Sequence, residues 1–435
     1  MDLFESLRSY LPKEEVDALQ ESLSSSRTHG LILNPNKVKQ SDFEHAYPHV
    51  TKVDHVPFGY RYSAEEYPFG KSLLFDAGAY YIQDSSAMLV SAFLEPKENA
   101  RVLDLCAAPG GKTIGLAVTR KDVTILSNDI SYPRAKELSG NVERMGLDNV
   151  AVTAADFSSC YRDYLEYFDA IILDAPCSGS AMFRKNIEAE KDWSIDKVNR
   201  CAGIQKDLLE MAYAMLAKRG RLLYSTCSFS KEEDIDQVLA LVSAHPDMEF
   251  LSLPDDPSFY LHPDCPKAIY LFPHRYIGEG QFLALLQKKG ESSPTLAKKS
   301  PCPKEGKEFA ERYNLSSYDF KKHGDSLYAL NQPLKTDHLP LLRYGVKLLG
   351  ERGPDFALAR SLPSSLTVPL NEKQAHDFLL GLTFPLEKEN GYHAVSYAGL
   401  ALGFVKVSQG VAKNHYPKGL RRDYPLPLLL LDVAD

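Results

Sequence analysis

Two cysteines stand in settings that suit reaction better than packing. Cys177 follows an apolar run and an Asp-Ala-Pro step in IILDAPCSGSAMFRKN, and Cys227 follows a second run in LLYSTCSFS. Taken singly, a free cysteine is most often a small buried hydrophobe. These two fall just past runs that read as buried strands, beside Ser and Gly and not among core aliphatics. A thiol so placed can be a nucleophile, and a second one can assist the release that must follow. The seven cysteines, at 106, 160, 177, 201, 227, 265 and 302, are odd in number and contain no C-x-x-C pair. That argues against a disulfide framework or a zinc site, and no metal is expected.

Other chemistry-bearing residues recur at equivalent places. VLDLCAAPGGKT (102–113) is an apolar run, a small-residue turn and a helix start. Its ending resembles a phosphate loop, but Cys106 stands where that loop needs its first glycine. The dinucleotide fingerprint G-x-G-x-x-G is also missing. What remains is a turn of Ala107, Ala108, Pro109, Gly110 and Gly111, where a ligand can approach the backbone beside a helix N-terminus. The next run ends in LSNDI, with Asp129 placed to hold a ribose hydroxyl pair, and the third in TAADF, with Asp156 placed to accept from an adenine amino group. One such Asp is usually a cap or turn residue. A glycine loop, an acid and an acid at three successive run ends fit a nucleoside without a pyrophosphate, and S-adenosylmethionine is the candidate.

A methyl donor beside two thiols suits methylation of cytosine at carbon 5. That carbon is a poor nucleophile until a thiolate adds at carbon 6 and turns the ring into an enamine. An acid near ring N3 favours the addition, and Asp174 is placed for it. The C5 proton must then leave and the enzyme thiol be expelled.

These residues need elements that bring them to one rim. ARVLDLCA, VTILSNDI, NVAVTAAD, FDAIILDAP, RGRLLYSTCS and QFLALLQKK read as strands. Between them lie helical patterns such as PRAKELSGNVERMG and DKVNRCAGIQKDLLEMAYAMLAKRG, the latter expected to end with Gly220 just past its last turn. The alternation predicts an α/β, Rossmann-like parallel sheet with helices on both faces over residues 88–289. The preceding 1–87, of short helical and strand-like runs rich in aromatics, reads as a small α+β domain of RNA-binding type. A polar Lys/Ser/Pro-rich linker covers 290–305. Two C-terminal α/β domains are expected, at 306–365 and 366–435.

With 50 Lys and Arg against 58 Asp and Glu, the chain has a formal net charge of −8. Nucleic-acid binding then needs a local basic patch and not a basic whole. Gly403–Arg422, GFVKVSQGVAKNHYPKGLRR, has no acid and supplies Lys413, Lys418 and Arg421 amid Phe404, His415 and Tyr416, an RNA-contact pattern. Arg184 and Lys185, in MFRKN, adjoin the thiol rim and are candidates for the RNA backbone. The longest apolar run, PLPLLLLDVA, is too short and too proline-broken to span a bilayer. MDLFESLRSYLPKEEVDALQ is an acidic amphipathic helix pattern without the basic and apolar regions of a signal peptide. A cytoplasmic protein without membrane contact is expected.

DLCAAPGGKT, DAPCSGSAMFRKN and YSTCSFSKEED, with YYIQDSSAML upstream and FPHRYIGEGQF downstream, resemble the RNA cytosine-C5 methyltransferases of the Sun/RsmB/RsmF family across residues 70–290. The resemblance implies that Cys227 attacks and Cys177 promotes release, whereas a cytosine-5 DNA methyltransferase would attack with the proline-cysteine thiol. It implies cofactor contacts at Cys106, Ala107, Ala108, Pro109, Gly110, Gly111, Lys112, Asp129, Arg134, Asp156 and Asp174. The tail is similar to the PUA-like RNA-binding module of the RsmF branch. That branch implies bacterial 16S rRNA, or the small ribosomal subunit, as partner. Transfer RNA is the rival substrate, and a non-catalytic assembly factor on the same fold the rival class. An amino-group methyltransferase would not place a cysteine after the fourth strand. Gln281 stands where the family often has an aromatic or His, and Ala181 where Gly is common; neither is expected to touch the chemistry.

Overall fold

Side chains alternate across a strand, so apolar residues in consecutive positions must serve two cores. The central strands of the computed structural model, which describes residues 2–185, 187–291, 298–350 and 353–424, do this throughout. Leu103, Leu126, Ile171, Leu222 and Leu286 pack in one cluster, while their neighbours Val102, Ile125, Ile172, Leu223 and Leu285 pack in another. A sheet buried on both faces explains why these runs are continuously apolar.

The strands are β1 (Arg101–Asp104), β2 (Thr124–Asn128), β3 (Val150–Thr153), β4 (Phe168–Asp174), β5 (Leu216–Thr226), β6 (Cys265–Leu271) and β7 (Gln281–Lys288). Their order is β6-β7-β5-β4-β1-β2-β3. The five strands β1 to β5 run parallel, and β7 is antiparallel to β5. The order reverses between β1 and β4, and the crevice outside their carboxyl ends is where such sheets bind ligands. Helices α1 (Ser85–Leu94), α2 (Gly111–Thr119) and α3 (Tyr132–Met145) bury Met88, Ile114 and Val142 on one face. Helices α4 (Ile195–Met215) and α5 (Ile235–Ala244) bury Leu209 and Val238 on the other. That face also takes Leu3, Leu7, Val16 and Leu19 from two N-terminal helices, which Pro12 separates.

One boundary differs from the sequence pattern. Helix α4 stops at Met215, before Gly220, and Leu216 already pairs with Phe168 across β5 and β4. Arg219, not Gly220, takes the positive φ of 62°. A Cβ on Gly220 would lie 2.7 Å from the Ala217 carbonyl, so the glycine permits a close approach within the strand's irregular start.

Residues beyond the core close round it. Leu341–Tyr344 pairs antiparallel with β3 and covers that edge of the sheet. A four-stranded N-terminal sheet packs Phe43, Tyr60, Phe69 and Tyr80 together. In the C-terminal region, Ala394 and Phe404 of the last sheet share one core with Leu348 and Leu358 of the preceding unit. The apolar run PLPLLLLDVA lies outside the described residues. Among those described, no helix is long and apolar enough to cross a membrane.

Candidate active site

Strands β1 to β5 each end on polar or small residues because the apolar layers stop there, and those ends form one rim. A cavity of about 390 Å³ opens on it, the size of a nucleoside-class site. Its walls include Cys106, Ala108, Asp129, Arg134, Asp156, Asp174, Cys177 and Cys227. Ala107, Pro109, Gly110, Gly111 and Lys112 form the turn and helix start beside it. Gly110 caps α2 with φ at 117°, a backbone state that suits glycine. A Cβ there would meet Leu138 at 2.8 Å, and one on Gly111 would meet the Gln83 amide at 2.8 Å.

Asp129 is 2% exposed and reaches the cavity between two anchors. Its Oδ1 accepts from the Ser131 N–H at 3.0 Å, and Arg134 lies 3.2 Å from Oδ2. Arg134 also donates to the Ala108 carbonyl at 2.7 Å, tying the loop after β1 to α3. Asp156 caps a short helix by accepting from the Ser158 N–H at 3.0 Å and remains exposed at the rim. A buried carboxylate, a rim carboxylate and a glycine-paved turn fit the ribose, adenine and methionine ends of S-adenosylmethionine.

The sequence reading missed the apolar wall. Ile204, Leu208 and Met211 line the cavity from α4, and Ile130 and Phe157 line it from the loops after β2 and β3. The α4 residues follow helical spacing, which reads as an ordinary core face. Ile130 and Ile204, 67% and 46% exposed, depart from what burial alone would choose.

The two sulfurs meet at the same rim. Cys177 Sγ and Cys227 Sγ are 2.9 Å apart, and both thiols are free. Hydrogen bonding from Cys177 holds the Cys227 thiol below its ordinary value, against burial and the Asp174 charge, with Lys112 also lowering it. The same interaction, with burial, pushes Cys177 well up. Cys227 is therefore the more acidic thiol of the pair and Cys177 the less acidic.

Asp174 stands next to them with both oxygens engaged. Lys112 Nζ is 2.5 Å from Oδ2, while Ser225 Oγ and Gln281 Nε2 donate to Oδ1 at 2.7 and 2.8 Å. Gln281 thus contacts Asp174, a candidate catalytic residue, although the sequence pattern sets it apart from the chemistry; β7 lies beside β5, and that adjacency brings its side chain to the end of β4. Ala181 also belongs there, since its N–H donates to the Cys227 carbonyl at 3.0 Å.

The RNA-contact candidates fare unevenly. Arg184 is not a free cation: its side chain is 4% exposed and paired with Glu279 at 3.0 Å. It also donates to the Gly278 carbonyl and to Ser25 Oγ. Its charge is spent joining three segments of the chain, and the assignment to the RNA backbone is corrected accordingly. Lys185 beside it is half-buried. Lys413 and Lys418 are exposed, but Phe404 and Tyr416 are buried at 1% and 2% and cannot stack on bases. Arg421 folds back over Gly381 and donates to the Tyr416 carbonyl. Among the described residues, no group of three or more His, Cys, Asp or Glu could hold a metal ion.

The chain is similar to known ribosomal RNA methyltransferases. A family model described as 16S rRNA methyltransferase RsmB/F matches residues 91–287. Models for the N-terminal domain of 16S rRNA methyltransferase RsmF and for the methyltransferase RsmF PUA domain match 2–85 and 365–422. A ribosomal RNA small subunit methyltransferase F from Shewanella loihica is 32% identical over 385 residues, covering 80% of this chain and 78% of its own. One from Escherichia coli is 39% identical over 247 residues, 54% of this chain and 50% of its own. A solved methyltransferase homologue from Pyrococcus horikoshii matches with TM-score 0.55 and 27% identity over 66% of this chain and 98% of its own. The NSun6 structure from the same organism, solved with SFG, shares the fold with TM-score 0.58 and 20% identity over 67% of this chain and 98% of its own.

Proposed function

The chain belongs to the RsmB/F family of S-adenosylmethionine-dependent ribosomal RNA methyltransferases, and from that premise we propose that it methylates carbon 5 of a cytidine in 16S rRNA. The observation that carries this reading is the thiol pair: two sulfurs 2.9 Å apart on the rim of the cofactor cavity.

When bound, S-adenosylmethionine supplies an electrophilic methyl group. Asp129 and Asp156 would hold its ribose and adenine, and the turn from Cys106 to Lys112 its amino-acid end. The Cys227 thiolate adds to carbon 6 of the target ring and so makes carbon 5 nucleophilic. Asp174 faces the N3 edge, and the proton between it and Lys112 offsets charge that builds there. After transfer, water at the rim takes the C5 proton; the electrons of that C–H bond re-form the ring double bond and expel the Cys227 thiolate from carbon 6. The Cys177 S–H then receives the leaving thiolate with a hydrogen bond and favours release. A cytidine must leave its stack to reach such a site. Lys185, Lys413 and Lys418 are assigned to the RNA backbone, and the reaction to the cytoplasm.

The test is to map 5-methylcytidine in ribosomal and transfer RNA from cells with and without the gene. A 16S position that loses its mark is expected. A mark lost from transfer RNA alone overturns the substrate, and no lost mark overturns the reaction.

A further inference from the structure

The two thiol loops end on one carboxylate that takes no part in the reaction as derived above. Glu233 lies in the SKEED run after β5 and is fully buried. Among the described residues its neighbours are neutral donors. Oε2 accepts from the Ser178 N–H at 2.8 Å and from Gln205 Nε2 at 3.0 Å. Oε1 accepts from the Ser228 hydroxyl at 2.7 Å and from the Ser178 hydroxyl. Ser178 directly follows Cys177, and Ser228 directly follows Cys227. Gln205 also donates to the Pro176 carbonyl at 2.9 Å, on the other side of Cys177. A buried anion is tolerated only when its lone pairs are filled, and four donors fill them. Few other side chains could do this: a glutamine would present N–H groups to donors.

We propose that Glu233 is the positioning residue of the thiol pair, holding the Cys177 and Cys227 sulfurs at hydrogen-bond distance. Its meaning for catalysis rests on the cytosine reading, while the pairing of the sulfurs does not. Lys112 and Asp174 face the pair from the cofactor side, and Glu233, Asp234, Tyr224 and Cys201 from the other elements around it. The hydrogen bond from Cys177 is the largest influence holding Cys227 down, and the Glu233 charge opposes it more weakly. Loss of Glu233 therefore lets Cys227 rise, because the hydrogen bond between the sulfurs weighs more than the repulsion from the carboxylate.

The experiment alkylates the full chain with iodoacetamide, without RNA, from neutral to alkaline pH, and reads Cys227 and Cys177 separately by mass spectrometry. In the unaltered protein Cys227 reacts first and at a pH below that of a free thiol. In Glu233→Ala its titration moves up and its preference over Cys177 falls by roughly tenfold, the equivalent of one pH unit in thiolate fraction. The double variant Ser178→Ala/Ser228→Ala removes two donors and keeps the carboxylate, so it moves the same way by less. A single cooperative melting transition, whatever its midpoint, and unchanged cofactor titration establish that each variant is folded. A folded Glu233→Ala with the original titration and preference overturns the proposal. If that variant does not fold, the double variant decides by the same criterion. Should the alkylation respond as expected while the unaltered protein makes no 5-methylcytidine, the cytosine reading falls and the role of Glu233 stands.

Discussion

Two thiols at hydrogen-bond distance do not ionise alike, and the hydrogen bond between them is the main cause that lowers Cys227 and raises Cys177. Lys112 on the cofactor side adds to the lowering at Cys227, against burial and the Asp174 charge. The two cysteines should therefore fail in different ways. Cys227→Ala is expected to abolish methylation and give no covalent protein–RNA species. Cys177→Ala should still attack and transfer, then stall, showing on a denaturing gel as a shifted band that needs RNA and Cys227. Exchange of these behaviours reverses the roles, and activity in both variants removes the covalent mechanism. A second residue carries a pH signature. Asp104 is fully buried, accepts from Thr113 Oγ1 at 2.6 Å and leaves Oδ1 without a partner. Burial is the main cause that pushes its carboxyl up to about 7. A raised acid stabilises the fold while it keeps its proton, and that contribution is lost as pH rises through about 7. Asp104→Asn should thus gain in melting temperature over the unaltered chain as pH rises from acid to mildly alkaline, by a few degrees. A gap independent of pH would contradict the assignment.

At the scale of elements, the turn from β1 into α2 decides how close a ligand can come. Gly110 combines a φ of 117° with a Cβ direction that points at Leu138. Gly110→Ala should cost about 1–3 kcal/mol in backbone strain and weaken cofactor binding, as isothermal titration and melting would read. Full affinity and stability would mean that the loop relaxes freely. Another short element is a seam. The helix Leu73–Asp76 ends beside three basic side chains from distant parts of the chain, of which burial and the two arginines hold Lys37 well below its ordinary value. Arg144 of α3 donates to the Phe75 carbonyl at 2.7 Å, Arg360 to that of Asp76, and Lys37 to that of Ala77 at 2.6 Å. Basic side chains suit the orphan carbonyls at a helix C-terminus, and here they also join the N-terminal sheet, α3 and the C-terminal region.

Across the whole molecule, the C-terminal units are not separable pieces. Phe404 and Ala394 complete the core round Leu348 and Leu358, and Tyr424 and Arg422 reach back to Asp76. Deleting the residues after Thr367 should therefore lower the melting temperature as well as weaken RNA binding. An unchanged melting curve would show that this shared core contributes nothing. Charge reversal at the exposed Lys413 and Lys418 is the cleaner probe. It should weaken RNA affinity and flatten its salt dependence by roughly 0.7–0.9 in logarithmic slope for each phosphate left unpaired. Binding with the original slope would return both lysines to the status of solvated surface.

The strands β1 to β5 and β7, their polar ends and the two cysteines were legible in the chain because each is a local matter. Continuous apolar runs fit a sheet covered on both faces, and the residue type that ends a run is written beside it. What local pattern could not supply was the pairing of distant segments. Whether Arg184 is a free cation depends on Glu279, whether Gln281 is inert depends on β7 lying next to β5, and whether SKEED is solvated depends on the serines after each cysteine. Phe404 and Tyr416 show the same limit, since an aromatic among lysines reads alike in a groove or in a core. Only folding brings those partners together, and their meeting determines whether a polar or aromatic side chain is spent inside the protein or left for a ligand.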